Sequence, residues 1–336
     1  MAQLLRKFVN TSAFRRGLEI VEHFDKPTSQ IISVFTYHRV DTPNAQPDLA
    51  PSILSASPQA FEEQMRYLAE RCNPISIHTL IDHLECGTPL PEKAVMVTFD
   101  DGYRDFAENA WGILRKFGIP VVLFVPTAYP SNPNKILWWD KLYSTLHRTT
   151  LTAADLPIGI IDLSSDKARK RAFKDLRNYV KSLPHTEAML FVDDFCTICE
   201  VESRNDNCIL DWNSLEQLAR EGVTLAPHTR THPMLTHISL DEVEQEALGS
   251  LHDLQQHIAH VLPIIAYPSG GADEDVADRM KSAGFILGFT QNRGINDTSE
   301  ANRLLFKRIN VGLNTSVNMM HAQMLRPILR LTSAFG

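Results

Sequence analysis

The feature that most constrains the fold of this chain is an alternation of short apolar runs with amphipathic helical segments. Runs rich in β-branched and aromatic residues occur at "IISVFTYHRV", "AVMVTF", "IPVVLFVP", "VTLAPH", "PIIAYPSG", "FILGFTQ" and "LFKRINVG". Helical patterns separate most of them, such as "SPQAFEEQMRYLAERC", which begins at Ser57 and Pro58. Because parallel strands need a crossover connection, this order predicts βαβ units and a parallel sheet. About seven such runs favour a barrel over an open sheet.

The alternation is interrupted once, at about residues 136–207. This stretch has a mostly helical pattern, with the basic segment "DKARKRAFKDLRNYVKSL" near its middle, and it predicts an inserted subdomain. We therefore expect an N-terminal helical segment over residues 1–30 and a barrel over residues 31–316 that the insert interrupts. A helical tail is expected over residues 317–336.

The bulk composition is typical of a globular protein with a sizeable core. The chain has 336 residues, of which 43% are hydrophobic and 22% charged. A net charge of −7 argues against a nucleic-acid partner, because such proteins usually carry a basic face. The odd count of five cysteines does not predict a disulfide framework. Cys196 and Cys199, with Cys208 nearby, suggest either a zinc or redox site or, as we favour, buried apolar residues of a helical segment.

The N-terminal segment predicts neither secretion nor membrane insertion. In "MAQLLRKFVNTSAFRRGLEIVEHF", Arg15, Arg16 and Glu19 interrupt any apolar signal region, and the chain has no run of 18 apolar residues. The segment is typical of a basic amphipathic helix, which packs on the domain or lies on a membrane surface. Together with reduced thiols, these features predict a cytoplasmic location, with contact at the inner membrane face as an option; the oligomeric state is left open.

Polar residues follow several of the predicted strands. In parallel α/β folds, functional side chains gather at the carboxyl ends of the strands. Four strand ends carry such groups here: Tyr37, His38 and Arg39; Asp100 and Asp101; His228; and Pro268 and Ser269. We expect these groups to meet on one face of the barrel.

Asp100 and Asp101 are adjacent carboxylates at the end of an apolar strand, an arrangement that costs free energy unless something compensates it. His228 and His232 have the spacing H-x-x-x-H, which would place both imidazoles on one side of a helical turn. One Asp and two His with an open position are typical of catalytic zinc sites. The second carboxylate could then accept a proton from water. The alternative is that Asp100 caps the next helix and Asp101 pairs with an arginine.

Two of these segments resemble a known family. "TFDDGYRD" (Thr98–Asp105) and "HTRTHPML" (His228–Leu235) resemble the polysaccharide deacetylases, the NodB-homology group of carbohydrate esterase family four, over roughly residues 31–130 and 208–312. The resemblance implies a distorted (β/α)7-type barrel with a mostly helical insertion. It also implies a divalent metal, zinc or another transition metal. Asp100 would be the catalytic base, and Asp101, His228 and His232 the metal ligands.

A third family motif resembles "AYPSGG", Ala266–Gly271. By this resemblance the Ser269 N–H would stabilise the oxyanion, while Tyr267 and Pro268, together with Tyr103 of the first motif, would contact substrate. An aromatic residue is common in the family at the position of Ser269. The family's arginine just upstream is missing, and Arg308 in "FKRINV" is the substitute expected to orient Asp100.

The histidine acid of the family has no late match, since His321 lies in a predicted helix. Some members are circularly permuted and begin with a strand ending in Tyr-His, which "FTYHRV" resembles, so His38 is expected to protonate the leaving amine. The alternative is that its ring only satisfies a backbone carbonyl. Trp138 and Trp139 either stack on sugar rings or anchor the insert.

The resemblance implies a hydrolase that removes N-acetyl groups from the amino sugars of a polysaccharide, such as an exopolysaccharide, or of its lipid-linked precursor. A deformylase and an O-acetyl esterase on the same fold remain alternatives. A further alternative is a non-catalytic glycan-binding protein.

Overall fold

The structure is a nearly closed barrel of parallel strands. The computed structural model describes residues 9, 11–25, 28–130, 132, 135–202 and 208–326. The barrel strands are β1 (Ile31–Tyr37), β2 (Ala94–Phe99), β3 (Val121–Val125), β4 (Thr224–Pro227), β5 (Ile264–Ala266), β6 (Leu287–Arg293) and β7 (Phe306–Asn310). Their order across the sheet is β5-β6-β7-β1-β2-β3-β4, with every neighbouring pair parallel. The predicted parallel α/β barrel is confirmed.

The barrel has one seam, between β4 and β5, which do not pair as strands in the described part of the chain. A side chain bridges this seam: Nδ1 of His228, just after β4, lies 2.7 Å from the carbonyl oxygen of Ala266 in β5. Strands β7 and β1 pair directly, so the chain runs around the barrel in sequence order and returns to its first strand.

Helices cover the outside of the barrel and build the insert. They are α1 (Ser12–Phe24), α2 (Pro58–Arg71), α3 (Ile77–Cys86), α4 (Trp111–Lys116), α5 (Trp138–Arg148), α6 (Asp166–Ser182), α7 (His185–Ile198), α8 (Trp212–Arg220), α9 (Leu240–His257), α10 (Glu274–Ser282) and α11 (Val317–Met324). As predicted, α2 begins with Pro58 in its first turn, and the Ser57 side chain accepts a hydrogen bond from the Ala60 N–H. A π-helix, Phe106–Ala110, precedes α4.

Short elements complete the fold. Short 3-10 helices span Pro51–Ile53, Leu235–His237 and Pro268–Gly270. Strand Arg39–Val40 pairs with Leu54–Ala56, Asn73–Pro74 with β2, and Asn296–Asp297 with β1. Each residue of β2 and β3 is buried, because these central strands are covered on both faces.

The described part of the predicted insert, residues 136–202, contains α5, α6 and α7 and has its own apolar cluster. It also contains a hairpin, Ala153–Leu156 with Gly159–Asp162, which the helical pattern did not predict. Cys196 and Cys199 are buried, and burial raises the pKa of both thiols. Among the described residues, the one cluster able to hold a metal includes neither of them, which favours the apolar interpretation.

The two terminal helices contact each other. Glu22 of α1 lies 3.2 Å from Nε2 of His321 in α11, so His321 is in a helix, as predicted, and outside the strand-end face. Ile20 and Phe24 of α1 are exposed. Residues 1–8, 10 and 327–336, which include parts of both predicted terminal segments, lie outside the described residues. Within the described ranges, no helix combines the length and the apolar character that crossing a bilayer requires.

Candidate active site

A cleft of about 330 Å³ lies at the carboxyl ends of the barrel strands. As expected for a parallel barrel, several strand ends contribute to it. Of the residues selected from the sequence, it is lined by His38, Asp101, Trp138, Trp139, His228, His232 and Ser269.

Three of these side chains converge on one point. Oδ1 of Asp101 lies 3.4 Å from Nε2 of His228 and 3.3 Å from Nε2 of His232, and all three side chains are buried. Ligand atoms about 2.0–2.1 Å from a tetrahedral zinc ion would be about 3.3–3.4 Å apart. Both distances from Asp101 match this spacing, and the three ligand atoms all lie within 4.8 Å of one another.

The hydrogen bonds of the three residues favour a cation among them. Because a carbonyl oxygen only accepts, the Nδ1–H of His228 donates to Ala266, and in the neutral ring Nε2 presents its lone pair to Asp101. Both carboxylate oxygens of Asp101 are buried without a hydrogen-bond partner of good geometry. Burial works to raise the pKa of Asp101, but the adjacent imidazoles hold it well below its ordinary value. The set thus suits a divalent metal, with His228 oriented by the barrel seam.

The backbone around this cluster is strained. Of the seven non-glycine residues with positive φ in the described chain, four belong to the cleft segments: Asp101 (72°), Thr229 (62°), His232 (62°) and Ser269 (54°). Such conformations are uncommon, especially for a β-branched residue, and they concentrate at functional sites.

The prediction that His228 and His232 share a helical turn is wrong. They lie in a loop whose backbone enters the left-handed region at Thr229 and again at His232. The hydroxyl of Thr229 accepts a hydrogen bond from the His232 N–H, which stabilises this loop. The two rings meet edge to face, with centroids 4.8 Å apart.

Asp100 directly follows β2, is fully buried beside Asp101, and does not itself line the cleft. Arg308, from β7, donates from Nη1 to Oδ1 at 2.8 Å and from Nη2 to Oδ2 at 2.7 Å. Burial works to raise the pKa of Asp100, but the Arg308 guanidinium holds it below its usual range. The structure therefore brings Arg308 to Asp100, as expected for a substitute for the family's missing arginine.

His38 and Ser269 lie on the cleft wall at the ends of β1 and β5. The His38 N–H donates to the Ser55 hydroxyl. Trp138 and Trp139 open α5 and also line the cleft, and the Trp139 ring contacts the His232 ring with centroids 4.8 Å apart. The paired tryptophans thus both anchor the insert and face the cleft.

Three residues predicted to contact substrate are elsewhere. Tyr103 and Tyr267 are buried, and their hydroxyls donate to Asp140 and to the Leu304 carbonyl, respectively. Pro268 is also buried, and none of the three lines the cleft. The Tyr103 side chain packs against the insert, where Asp140 accepts a hydrogen bond from its hydroxyl. We do not retain these three residues as substrate contacts.

Sequence reasoning missed several residues of the site. Asp140 accepts hydrogen bonds from the Tyr103 hydroxyl and the Ala50 N–H, and so joins the first motif to the insert. Arg177 and Lys181 of α6 line the cleft. Their spacing of four residues on a basic helix predicts only that they share one face of that helix. Nothing in the sequence near either cation connects it to the distant motifs.

Comparison with known proteins identifies the family. A family model described as polysaccharide deacetylase matches residues 87–158 and 164–287, more than half of the chain. A curated Escherichia coli K12 protein, poly-β-1,6-N-acetyl-D-glucosamine N-deacetylase, is 41% identical over 70 residues, which cover 20% of this chain and 10% of that protein. The match therefore spans about a tenth of that relative's length.

Solved structures share the fold. The Streptococcus pyogenes deacetylase PplD, solved in complex with acetate, aligns with a TM-score of 0.60 at 19% identity, covering 89% of this chain and 99% of that one. IcaB from Ammonifex degensii aligns with a TM-score of 0.58 at 16% identity, and the alignment covers 90% of this chain and 98% of IcaB. With the barrel, the motifs and the family model in agreement, this chain belongs to the polysaccharide deacetylase family.

Proposed function

We propose that the protein is a metal-dependent hydrolase that removes acetyl groups from the amino sugars of a polysaccharide or of its lipid-linked precursor. The single observation that carries the proposal is the convergence of Asp101, His228 and His232 at the floor of a cleft, with the Asp100–Arg308 pair next to it. A glycan-binding protein would have no need of this arrangement.

Asp101, His228 and His232 would hold the metal. Two imidazole nitrogens and one carboxylate oxygen suit zinc, and other divalent transition metals bind the same donors. When bound, such an ion acts as a Lewis acid that lowers the pKa of water and polarises a carbonyl group.

Asp100 is proposed as the base. Its neighbour Arg308 keeps it ionised and fixes its orientation by two hydrogen bonds, so that it accepts a proton from the attacking water. The water oxygen forms a bond to the amide carbon, and the carbonyl oxygen gains negative charge. The N–H of Ser269, on the same cleft wall, is proposed to donate a hydrogen bond to that oxygen.

His38 is proposed as the acid. When the carbon–nitrogen bond breaks, its imidazolium gives a proton to the departing nitrogen, leaving acetate and a free amino sugar. Trp138 and Trp139 present aromatic surface in the same cleft, which suits the apolar face of a sugar ring. The related Escherichia coli protein is named for poly-β-1,6-N-acetyl-D-glucosamine, and we propose an N-acetylated amino-sugar chain as the substrate class here.

The direct test combines metal analysis with product analysis. The protein is loaded with zinc, dialysed, and assayed for acetate and free amine released from N-acetylhexosamine oligomers and lipid-linked intermediates. We expect about one bound ion per chain, together with acetate release. Asp101→Asn should lose both the ion and the activity, whereas Asp100→Asn should keep the ion and lose about 10²- to 10⁴-fold in turnover.

A control variant and the product identity complete the test. Asp175→Asn, on the exposed face of α6, should change neither metal content nor turnover. Release of formate, or of acetate from O-acetyl esters alone, would move the assignment to a deformylase or an esterase. Glycan binding that Asp100→Asn leaves unchanged, with no turnover in the wild type, would favour a binding protein. Cell fractionation tests the predicted cytoplasmic location.

A further inference from the structure

One wall of the cleft carries two cations that the proposed chemistry does not use. Arg177 and Lys181 lie one turn apart on α6 and so face the same side of the helix. Both line the same cleft as Asp101 and the two histidines, and Lys181 also lines a small apolar niche beside His232.

Neither cation has an acidic partner among the described residues. The Arg177 Nη1 donates to the Ser52 hydroxyl at 3.1 Å, while its Nε is buried without a hydrogen-bond partner. Lys181 is partly buried, and both this burial and the charge of Arg177 lower its pKa. By contrast Arg171, on the same helix, lies 3.7 Å from Asp175.

Holding these two groups together costs free energy. Like charges four residues apart on a helix repel each other, and partial burial increases the cost of each charge. Among the described residues that line the cleft, Asp101 is the one with an acidic side chain, and a divalent ion would outweigh its charge. The two cations therefore outnumber the one carboxylate of the lining, an excess that a neutral acetylated saccharide would not require.

We infer that Arg177 and Lys181 form a subsite for an anionic group carried by the saccharide substrate. The inference rests on the proposed function and specifies its substrate class: amino-sugar saccharides with a phosphate or a carboxylate close to the acetylated unit. A guanidinium presents paired donors to either oxyanion, the ammonium adds a second charge, and Ser52 fixes the Arg177 side chain. A phosphate occurs in nucleotide- and lipid-linked precursors, and a carboxylate occurs in uronic-acid polymers.

The test compares charged and neutral substrates. Acetate release by the zinc-loaded protein is measured on N-acetylglucosamine 1-phosphate, on an oligosaccharide of N-acetylglucosamine and glucuronate, and on neutral N-acetylglucosamine oligomers. We expect the wild type to prefer one charged substrate, and the preferred one identifies the source of the anion. Arg177→Gln and Lys181→Gln should each lower kcat/KM on that substrate by about 10- to 100-fold. On the neutral oligomers both should stay within about threefold of the wild type.

Matched variants separate charge from packing. Arg171→Gln removes a cation from an exposed position of the same helix, with 87% of its side chain exposed, and should leave the preference unchanged. Arg177→Lys keeps the charge and should recover part of the loss. An equal loss on charged and neutral substrates, or a wild type that prefers neutral oligomers, would overturn the inference.

A binding measurement keeps this inference separate from the proposed function. Calorimetry with N-acetylglucosamine 1-phosphate, compared with N-acetylglucosamine, does not depend on turnover. The glucuronate-containing oligosaccharide is measured in the same way against a neutral oligomer. If the variants weaken binding of a charged sugar but no substrate is deacetylated, the anion subsite stands and the proposed function fails. If acetate is released but neither charged sugar binds more tightly than its neutral counterpart, the proposed function stands and the subsite is refuted.

Discussion

The buried pair of Asp100 and Arg308 gives the most direct prediction about this barrel. Replacing Arg308 with Met keeps an unbranched apolar side chain but removes the guanidinium. That group makes two hydrogen bonds to Asp100 and one to the Thr290 carbonyl, at 2.8, 2.7 and 2.7 Å, from a position that is fully buried. In the variant the Asp100 carboxylate stays buried but loses the charge and the two hydrogen bonds of its guanidinium partner.

Arg308→Met is expected to lower the free energy of unfolding strongly. Burying the Asp100 charge costs free energy, and in the variant the guanidinium no longer offsets that cost. Removing one partner of a buried ion pair costs about 3–5 kcal/mol of the free energy of unfolding. Adding Asp100→Asn to Arg308→Met removes the stranded charge, so the double variant should regain about 2 kcal/mol or more relative to Arg308→Met alone.

Urea unfolding of the wild type, both single variants and the double variant provides the measurement. Arg171→Met, on the exposed surface of α6, is the control and should leave the unfolding midpoint unchanged. Two results would show that Asp100 is not a buried charge that depends on Arg308. One is a loss of less than about 1 kcal/mol in the free energy of unfolding of Arg308→Met. The other is a double variant that is less stable than Arg308→Met alone.

Three further predictions concern the cleft and the insert. His38→Gln should slow amide hydrolysis by about 10²- to 10⁴-fold but affect 4-nitrophenyl acetate much less, because that leaving group needs no proton; equal losses would contradict an acid role. Ser269→Gly retains the backbone N–H and relieves a φ of 54°, so acetate release should stay within about threefold, and a larger loss would show that the hydroxyl participates. Burial raises the pKa of Asp140 to about 6, although the hydrogen bond from Tyr103 works to lower it. The protonated Asp140 side chain therefore stabilises the fold fully below its pKa in the unfolded chain, near 4, and this stabilisation is lost as the pH rises through 6. Between pH 4 and 7, urea unfolding should therefore show the wild type losing about 2 kcal/mol relative to Asp140→Asn, and parallel pH profiles would refute this.

The barrel was predictable from the sequence because its strands and helices are indicated by short stretches of neighbouring residues. Most strands are short apolar runs, several of them followed by polar residues, and most crossover helices have an amphipathic period, with recognisable ends such as Ser57 and Pro58. The hairpin at residues 153–162 was missed because two four-residue strands with exposed positions carry little periodic signal. The loop holding His228 and His232 was mistaken for a helical turn because the sequence does not display positive φ at Thr229 and His232.

The sequence by itself determined which groups are candidates for the chemistry: adjacent carboxylates at a strand end and a histidine pair, whose residue types predict a metal site. Only the tertiary structure decided what surrounds them. Arg308 reaches Asp100 across 208 positions of the chain, and Tyr103 turns away from the cleft to Asp140. Arg177 and Lys181 come from an insert with no motif of its own and still line the cleft. Such contacts depend on how the barrel closes and on where the insert packs. Neither can be predicted from the local secondary-structure propensity of the residues.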